Sequence, residues 1–139
     1  MLREPGDSRQ ERPVAKSAKD MVARARAKVE NLDPAAVAAE LERGAVLVDL
    51  RDHPELAAAG RIPGSVHVPR GMLEFRADPT SPYHDEALDP TKRVVLHCAS
   101  GGRSALAAAT LQEMGYAHVA HLDGGFAAWA EEGRPVETV

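Results

Sequence analysis

The sequence has a single cysteine in 139 residues, and it has no long apolar run. A single cysteine excludes an internal disulfide, so the fold must be held by packing and the thiol of Cys98 is free for chemistry. No apolar stretch approaches the roughly 20 residues that span a bilayer. The first 16 residues are polar and do not resemble a secretory signal. We therefore expect a cytoplasmic protein with no membrane partner.

The charge balance argues against one class of partner. Charged residues make up 27% of the chain, and the formal net charge is -4 at pH 7. Proteins that bind nucleic acid usually carry clustered positive charge in excess. We therefore predict no nucleic-acid partner.

The chain has the length of one ordinary domain. Residues 1–19 have little to bury and predict a flexible tail. Val22 and Val29 belong to an apolar series at helical spacing, which predicts an N-terminal helical extension over residues 20–32. We place the folded domain at residues 33–137.

Strand and helix patterns alternate along this domain. Residues 45–50 and 93–97 are short apolar runs, typical of strands buried on both faces of a parallel sheet. Shorter strands are predicted at residues 64–69 and 119–122, and an alanine-rich helix over residues 104–114. The alternation predicts an α/β fold with a mainly parallel sheet.

Two further helices are indicated by their capping residues. Asp33 followed by Pro34 predicts a helix start, and Gly44 is a suitable end. Asp52 with Glu55 three residues later has the pattern of a capping box. Both predicted helices flank the first buried strand.

The cysteine lies where ligands bind in open parallel sheets, between the carboxyl end of a strand and the start of a helix. The segment that follows is small and rich in glycine, so its N–H groups can turn inward toward one point. The helix N-terminus and an arginine add positive charge there, which favours thiolate over thiol. We predict Cys98 as the nucleophile. The predicted anion cradle is Ala99, Ser100, Gly101, Gly102, Arg103 and Ser104. The alternative is a buried core thiol in an ordinary turn.

Asp49 and Arg51 lie at the end of a predicted strand, near the mouth of this site. They are candidate supporting residues that bind the donor or orient the loop. A structural ion pair is the favoured alternative, because a buried charge must be paired.

The histidines are assigned no chemistry. His97 neighbours Cys98 on a strand, where adjacent side chains point to opposite faces, so we predict a packing role for it. The others lack the spacing of a metal site, and we predict neither a metal ion nor a cofactor. They include His67, His118 and His121.

The segment Cys98-Ala99-Ser100-Gly101-Gly102-Arg103-Ser104 resembles the active-site loop of the rhodanese family. Three more segments resemble that family in the same order. Residues 48–51 resemble its strand-end Asp-x-Arg segment, residues 60–65 its Ile-Pro-Gly segment, and residues 124–129 its Gly-Gly-x-x-x-Trp segment. The resemblance covers roughly residues 33–136.

The resemblance implies a three-layer fold, in which helices flank a five-stranded, mainly parallel sheet. It also implies a sulfurtransferase in which Cys98 attacks the outer sulfur of a donor such as thiosulfate and releases sulfite. A thiophilic acceptor, either cyanide or a small or protein thiol, would then take the sulfur from the Cys98 persulfide. Because there is no second cysteine, the acceptor must come from outside the chain.

Two other functions stay open at this point. One is a non-enzymatic sulfur-relay or binding module, in which a partner protein reads the persulfide. The other is a cysteine-dependent phosphatase or arsenate reductase. Those enzymes need a longer loop to surround a tetrahedral oxyanion, whereas only four residues separate Cys98 from Arg103.

Overall fold

Five parallel strands form one sheet in the order β1-β5-β4-β2-β3. The computed structural model describes residues 16–139. The strands are β1 (Glu30–Leu32), β2 (Val46–Asp49), β3 (Val66–His67), β4 (Val94–His97) and β5 (Val119–Leu122). The α/β fold with a five-stranded sheet is therefore confirmed, and the sheet is wholly rather than mainly parallel.

Helices cover both faces of the sheet. They are α1 (Ala18–Lys28), α2 (Pro34–Glu42), α3 (His53–Ala59), α4 (Leu73–Ala77), α5 (Gly102–Glu113) and α6 (Gly125–Glu131), with a 3₁₀ turn at Arg70–Met72. None of the helices in residues 16–139 combines the length and apolar character that crossing a membrane requires.

Two hydrophobic cores lie on opposite sides of the sheet, because successive strand residues point to opposite faces. Val94 and Leu96 of β4 pack into one core with Leu111 of α5. Val95 packs into the other core with Trp129 of α6. Strand β4 is fully buried, so Cys98, which follows it, lies inside the protein.

The predicted helical extension over residues 20–32 is wrong at its end. Helix α1 stops at Lys28, and residues 30–32 form strand β1, which pairs with the edge of β5. The Asn31 side chain donates to the carbonyls of Arg26 and Val29, so it satisfies groups that the helix end leaves free. Pairing with a distant strand overrides the local helical spacing here.

The predicted tail over residues 1–19 is too long at its end. Ser17 accepts a hydrogen bond from the Asp20 amide and caps α1, which places Ala18 and Lys19 in a helix. Residues 1–15 of that predicted tail lie outside the described residues.

Arg93 joins three elements at the start of β4. Its guanidinium donates to the Glu30 carboxylate of β1 at 2.8 and 3.0 Å, and to Glu40 of α2 at 3.1 and 3.2 Å. The hydrogen bonds from Arg93 lower the pKa of the Glu30 carboxyl. This network holds the short strand β1 to the rest of the sheet.

We expect Arg93→Gln to lower the free energy of unfolding by about 1 kcal/mol, because the substitution removes the cation that Glu30 and Glu40 share. Arg43→Gln is the matched control, since Arg43 reaches the same Glu40 at 3.8 Å from a largely exposed position. Urea denaturation measures both variants. Equal losses would contradict a special role for Arg93.

Candidate active site

The residues of the predicted anion cradle form a tight loop after β4 and the first turn of α5. The Cys98 sulfur accepts hydrogen bonds from the backbone amides of Gly101 at 3.2 Å and Ser104 at 3.4 Å. Gly101 has a φ of 109°, a conformation that glycine adopts at little cost and that helps turn the loop back on the sulfur. The arrangement places two backbone dipoles and the start of α5 against one sulfur atom.

The sulfur is much more enclosed than the sequence predicts. Cys98 is only 1% exposed, and Ser104 beside it is fully buried. Helix α6 packs on one side of the loop, and Val22 of α1 approaches Gly102 on another. Cys98 therefore combines the two alternatives, since it is a core thiol and also the centre of an inward-turned loop.

Backbone hydrogen bonds from α6 hold this loop. The amide of Phe126 donates to the Cys98 carbonyl at 2.8 Å, and the amide of Ala127 donates to the Ala99 carbonyl at 3.0 Å. This close approach requires glycine at position 125. A Cβ atom there would lie 2.6 Å from the Ala99 carbonyl, and the φ of Gly125 is +64°.

Arg103 directs its guanidinium to a carboxylate of helix α3. Its two terminal nitrogens donate to the Glu55 carboxylate at 2.9 and 2.8 Å. The hydrogen bonds from Arg103 lower the pKa of Glu55 to about 2. The positive charge that we predicted beside the sulfur is therefore paired with Glu55 of α3.

Glu55 is a site residue that the sequence analysis did not identify as one. Its carboxylate also accepts the Asp52 amide at 2.9 Å, so the predicted capping box is present. The capping pattern placed Glu55 at the start of a helix but gave no sign of its contact with Arg103, 48 residues away.

Asp49 and Arg51 form a buried ion pair under the loop. Arg51 donates to Asp49 at 3.0 and 2.8 Å and to the Gly60 carbonyl at 2.8 Å, and its guanidinium lies 4.2 Å from the Phe126 ring centroid. Although burial opposes it, the hydrogen bonds from Arg51 lower the pKa of Asp49. Arg51 is 1% exposed and its hydrogen bonds go to protein groups, which favours the structural interpretation of this pair.

Two buried histidines lie near the loop with different partners. His97 stacks with Phe126 and lies 3.6 Å from the Asp49 carboxylate, and burial lowers the pKa of its imidazole. It packs on the sheet as predicted. His121 instead contacts Ser104 at 2.8 Å, a contact that the sequence analysis missed. Within the described part of the chain, no group of three potential ligands could hold a metal ion.

Comparison with known proteins agrees with this geometry. Residues 33–132 match the family described as Rhodanese-like domain. The chain belongs to the rhodanese family. The predicted resemblance is thereby confirmed over most of the chain.

The relatives of this rhodanese-family chain include named sulfurtransferases. A thiosulfate sulfurtransferase GlpE from Pseudomonas syringae is 38% identical over 110 residues, which cover 79% of this chain and 94% of that protein. A solved polysulfide-sulfur transferase homodimer from Wolinella succinogenes is 31% identical with a TM-score of 0.72, and the match covers 100% of this chain and 94% of that one. These similarities support sulfurtransferase activity in general terms.

Another solved structure has a different description. A protein of unknown function from Rhodopseudomonas palustris, described as a possible tyrosine phosphatase, is 43% identical with a TM-score of 0.84. The match covers 91% of this chain and 98% of that chain. Phosphatase activity is therefore included in the tests below.

We expect Gly125→Ala to loosen the cysteine loop, because its methyl group would collide with the Ala99 carbonyl. Gly133→Ala is the matched control, since Gly133 also has a positive φ, +74°, but open space around it. The control is expected to lose about 1 kcal/mol of stability and Gly125→Ala more than about 2 kcal/mol. Hydrogen exchange of the peptide covering residues 98–104 should rise only in Gly125→Ala. Unchanged exchange there would contradict a role of Gly125 in holding the cysteine loop.

We expect Glu55→Gln to lower stability at pH 7 by about 0.5–1 kcal/mol, a small loss because both side chains are more than a third exposed and screened by solvent. Glutamine can still accept the Asp52 amide, so the change isolates the charge. Since the folded pKa is depressed to about 2, this stability is full above the unfolded pKa of about 4.3 and disappears as the pH falls toward 2. Urea denaturation at pH 7, 4 and 3 measures it. Glu131→Gln, at an exposed position of α6, is the matched control.

Proposed function

We propose that this protein transfers a sulfane sulfur from a donor such as thiosulfate to a thiophilic acceptor, through a persulfide on Cys98. The observation that carries the proposal is the pair of amides, from Gly101 and Ser104, that donate to the Cys98 sulfur. Charge-assisted hydrogen bonds of this kind stabilise an anionic sulfur. The named sulfurtransferases among the relatives support the same chemistry.

In the first step, the Cys98 thiolate attacks the outer sulfur of thiosulfate. A bond forms between the two sulfur atoms, the bond to the sulfonate sulfur breaks, and its electron pair leaves with sulfite. The persulfide then carries the negative charge on its outer sulfur. We assign the first-turn amides of α5, at Gly102 and Arg103, to that atom, because such amides have no acceptor within the helix.

In the second step, cyanide or a thiolate attacks the outer sulfur and Cys98 leaves as the thiolate. The chain has no second cysteine, so an internal disulfide cannot release the sulfur. The acceptor is therefore a separate small molecule or protein. We expect the reaction in the cytoplasm, where a lone thiol stays reduced.

The cradle favours a single sulfur atom, because its loop is short and its arginine is paired with a carboxylate. Arg103 is paired with Glu55 and Arg51 with Asp49, so backbone dipoles rather than a free cation receive the negative charge. Phosphatase chemistry is disfavoured, because a phosphoryl group with three oxygens needs a wider ring of donors than this short loop supplies. Arg103 here acts by supporting the loop.

We expect the wild-type protein to produce thiocyanate from thiosulfate and cyanide, and Cys98→Ala to produce none. Thiosulfate alone should add one sulfur, about 32 Da, to the intact mass of the wild type and nothing to Cys98→Ala. Since Cys98 is the one cysteine, every thiol signal reports on it. Hydrolysis of p-nitrophenyl phosphate, measured in parallel, should be absent.

The outcomes separate the candidate functions. Persulfide loading with almost no thiocyanate would favour the sulfur-relay module, in which a partner protein takes the sulfur. Cys98-dependent phosphate release without sulfur loading would favour the phosphatase. Neither loading nor turnover with thiosulfate would contradict the proposed donor class.

A further inference from the structure

A chain of hydrogen bonds leads from the active sulfur to the protein surface. The Cys98 sulfur lies 3.6 Å from the Ser104 hydroxyl, which lies 2.8 Å from Nδ1 of His121. Nε2 of His121 lies 2.7 Å from Oδ1 of Asn31. Cys98, Ser104 and His121 are at most 1% exposed, whereas Asn31 is exposed. The nucleophile is therefore connected to a titratable group that its chemistry does not otherwise use.

The partners of Asn31 fix the direction of every hydrogen bond in this chain. Its Nδ2 donates to the carbonyls of Arg26 and Val29, at 2.9 and 3.1 Å, so its Oδ1 must face His121. An amide oxygen only accepts, hence Nε2 of His121 carries a proton. In the neutral imidazole, Nδ1 is then an acceptor, and the Ser104 hydroxyl donates to it.

The hydroxyl of Ser104 is thereby oriented toward His121 rather than toward the sulfur. A second acceptor, the Gly101 carbonyl, lies farther from it, at 3.3 Å. With its proton directed away, the Ser104 oxygen offers a lone pair to the Cys98 thiol. The resulting order is S–H to Oγ, Oγ–H to Nδ1, and Nε2–H to Oδ1.

We propose that His121 is a positioning residue that takes the thiol proton of Cys98 through the Ser104 hydroxyl, a role that rests on the proposed sulfur transfer. The S–H proton passes to Ser104 as the hydroxyl proton passes to Nδ1, so the hydroxyl is restored. The products are the Cys98 thiolate and the His121 imidazolium. Net charge is unchanged, and no other reactant is needed.

The surroundings of His121 leave its imidazole neutral until the thiol proton arrives. Burial lowers the pKa of His121, so its imidazole is neutral before the transfer. Asp123, in the turn before α6, favours the imidazolium, and Arg26 of α1 opposes it, but these two side chains are paired with each other. Asn31 of β1 is neutral. The new thiolate is then the charge that stabilises the imidazolium.

The test is the rate of Cys98 alkylation by iodoacetamide between pH 5 and 9. His121→Asn keeps an acceptor for Ser104 but cannot take a proton. We expect its rate at pH 6.5 to fall roughly tenfold, while the limiting rate at high pH is unchanged. His118→Asn, an exposed histidine next to the same strand, is the matched control and should behave like the wild type. Thermal melting checks that each variant is folded.

Two further measurements distinguish proton transfer by His121 from a purely structural role. In a Ser104→Ala background, His121→Asn should have no additional effect at pH 6.5, because the connection is already broken. Asn31→Asp, at an exposed position, should shift the rate profile toward lower pH, because a carboxylate stabilises the imidazolium. A structural role alone would not produce that shift.

The outcomes distinguish this inference from the proposed function. A His121→Asn profile identical to the wild type, or lowered equally at every pH, would overturn the role of His121. If sulfur transfer from thiosulfate persists in that case, the proposed function stands without it. If the alkylation profile shifts as expected but thiosulfate loads no sulfur, the proton path stands and the proposed donor fails.

Discussion

Two backbone hydrogen bonds between α6 and the cysteine loop set the geometry on which the site depends. They fix the carbonyls of Cys98 and Ala99, and each carbonyl fixes the peptide plane to which it belongs. With those planes held, the loop has few ways to reach the start of α5, and its amides at Gly101 and Ser104 meet the sulfur. Gly125, which permits this close approach, thus acts on the nucleophile from a position 27 residues farther along the chain than Cys98.

The buried ion pair of Asp49 and Arg51 supports the same arrangement through its contact with α6. Arg51 contacts Asp49, the Gly60 carbonyl and the Phe126 ring, so it joins β2, the end of α3 and α6. A charged pair in the interior costs desolvation, and removing one partner leaves the other charge uncompensated. The hydrogen bonds of Arg51 fix the relative position of these elements. The strand-end pattern in the sequence located this pair, but its burial followed only from packing.

The sequence predicted the parts of the fold that local pattern controls. Strands β2 and β4 are continuous apolar runs, and the capping residues Asp33 and Asp52 mark two helix starts. Strand β1 was missed because its three residues, Glu30 to Leu32, are mostly exposed and continue a helical spacing. Only pairing with β5 makes them a strand. The loop around Cys98 was found from its motif, whereas Glu55 and His121 depend on contacts between distant segments that no local pattern contains.

Strand β1 also changes how the limits of the folding unit should be drawn. The family match begins at residue 33, after the last residue of this strand. A fragment started there would uncover the edge of β5, leaving its unpaired amide and carbonyl groups open to the edge of another molecule. It would also lose Asn31. The segment before the family boundary thus serves as a strand that covers the edge of β5.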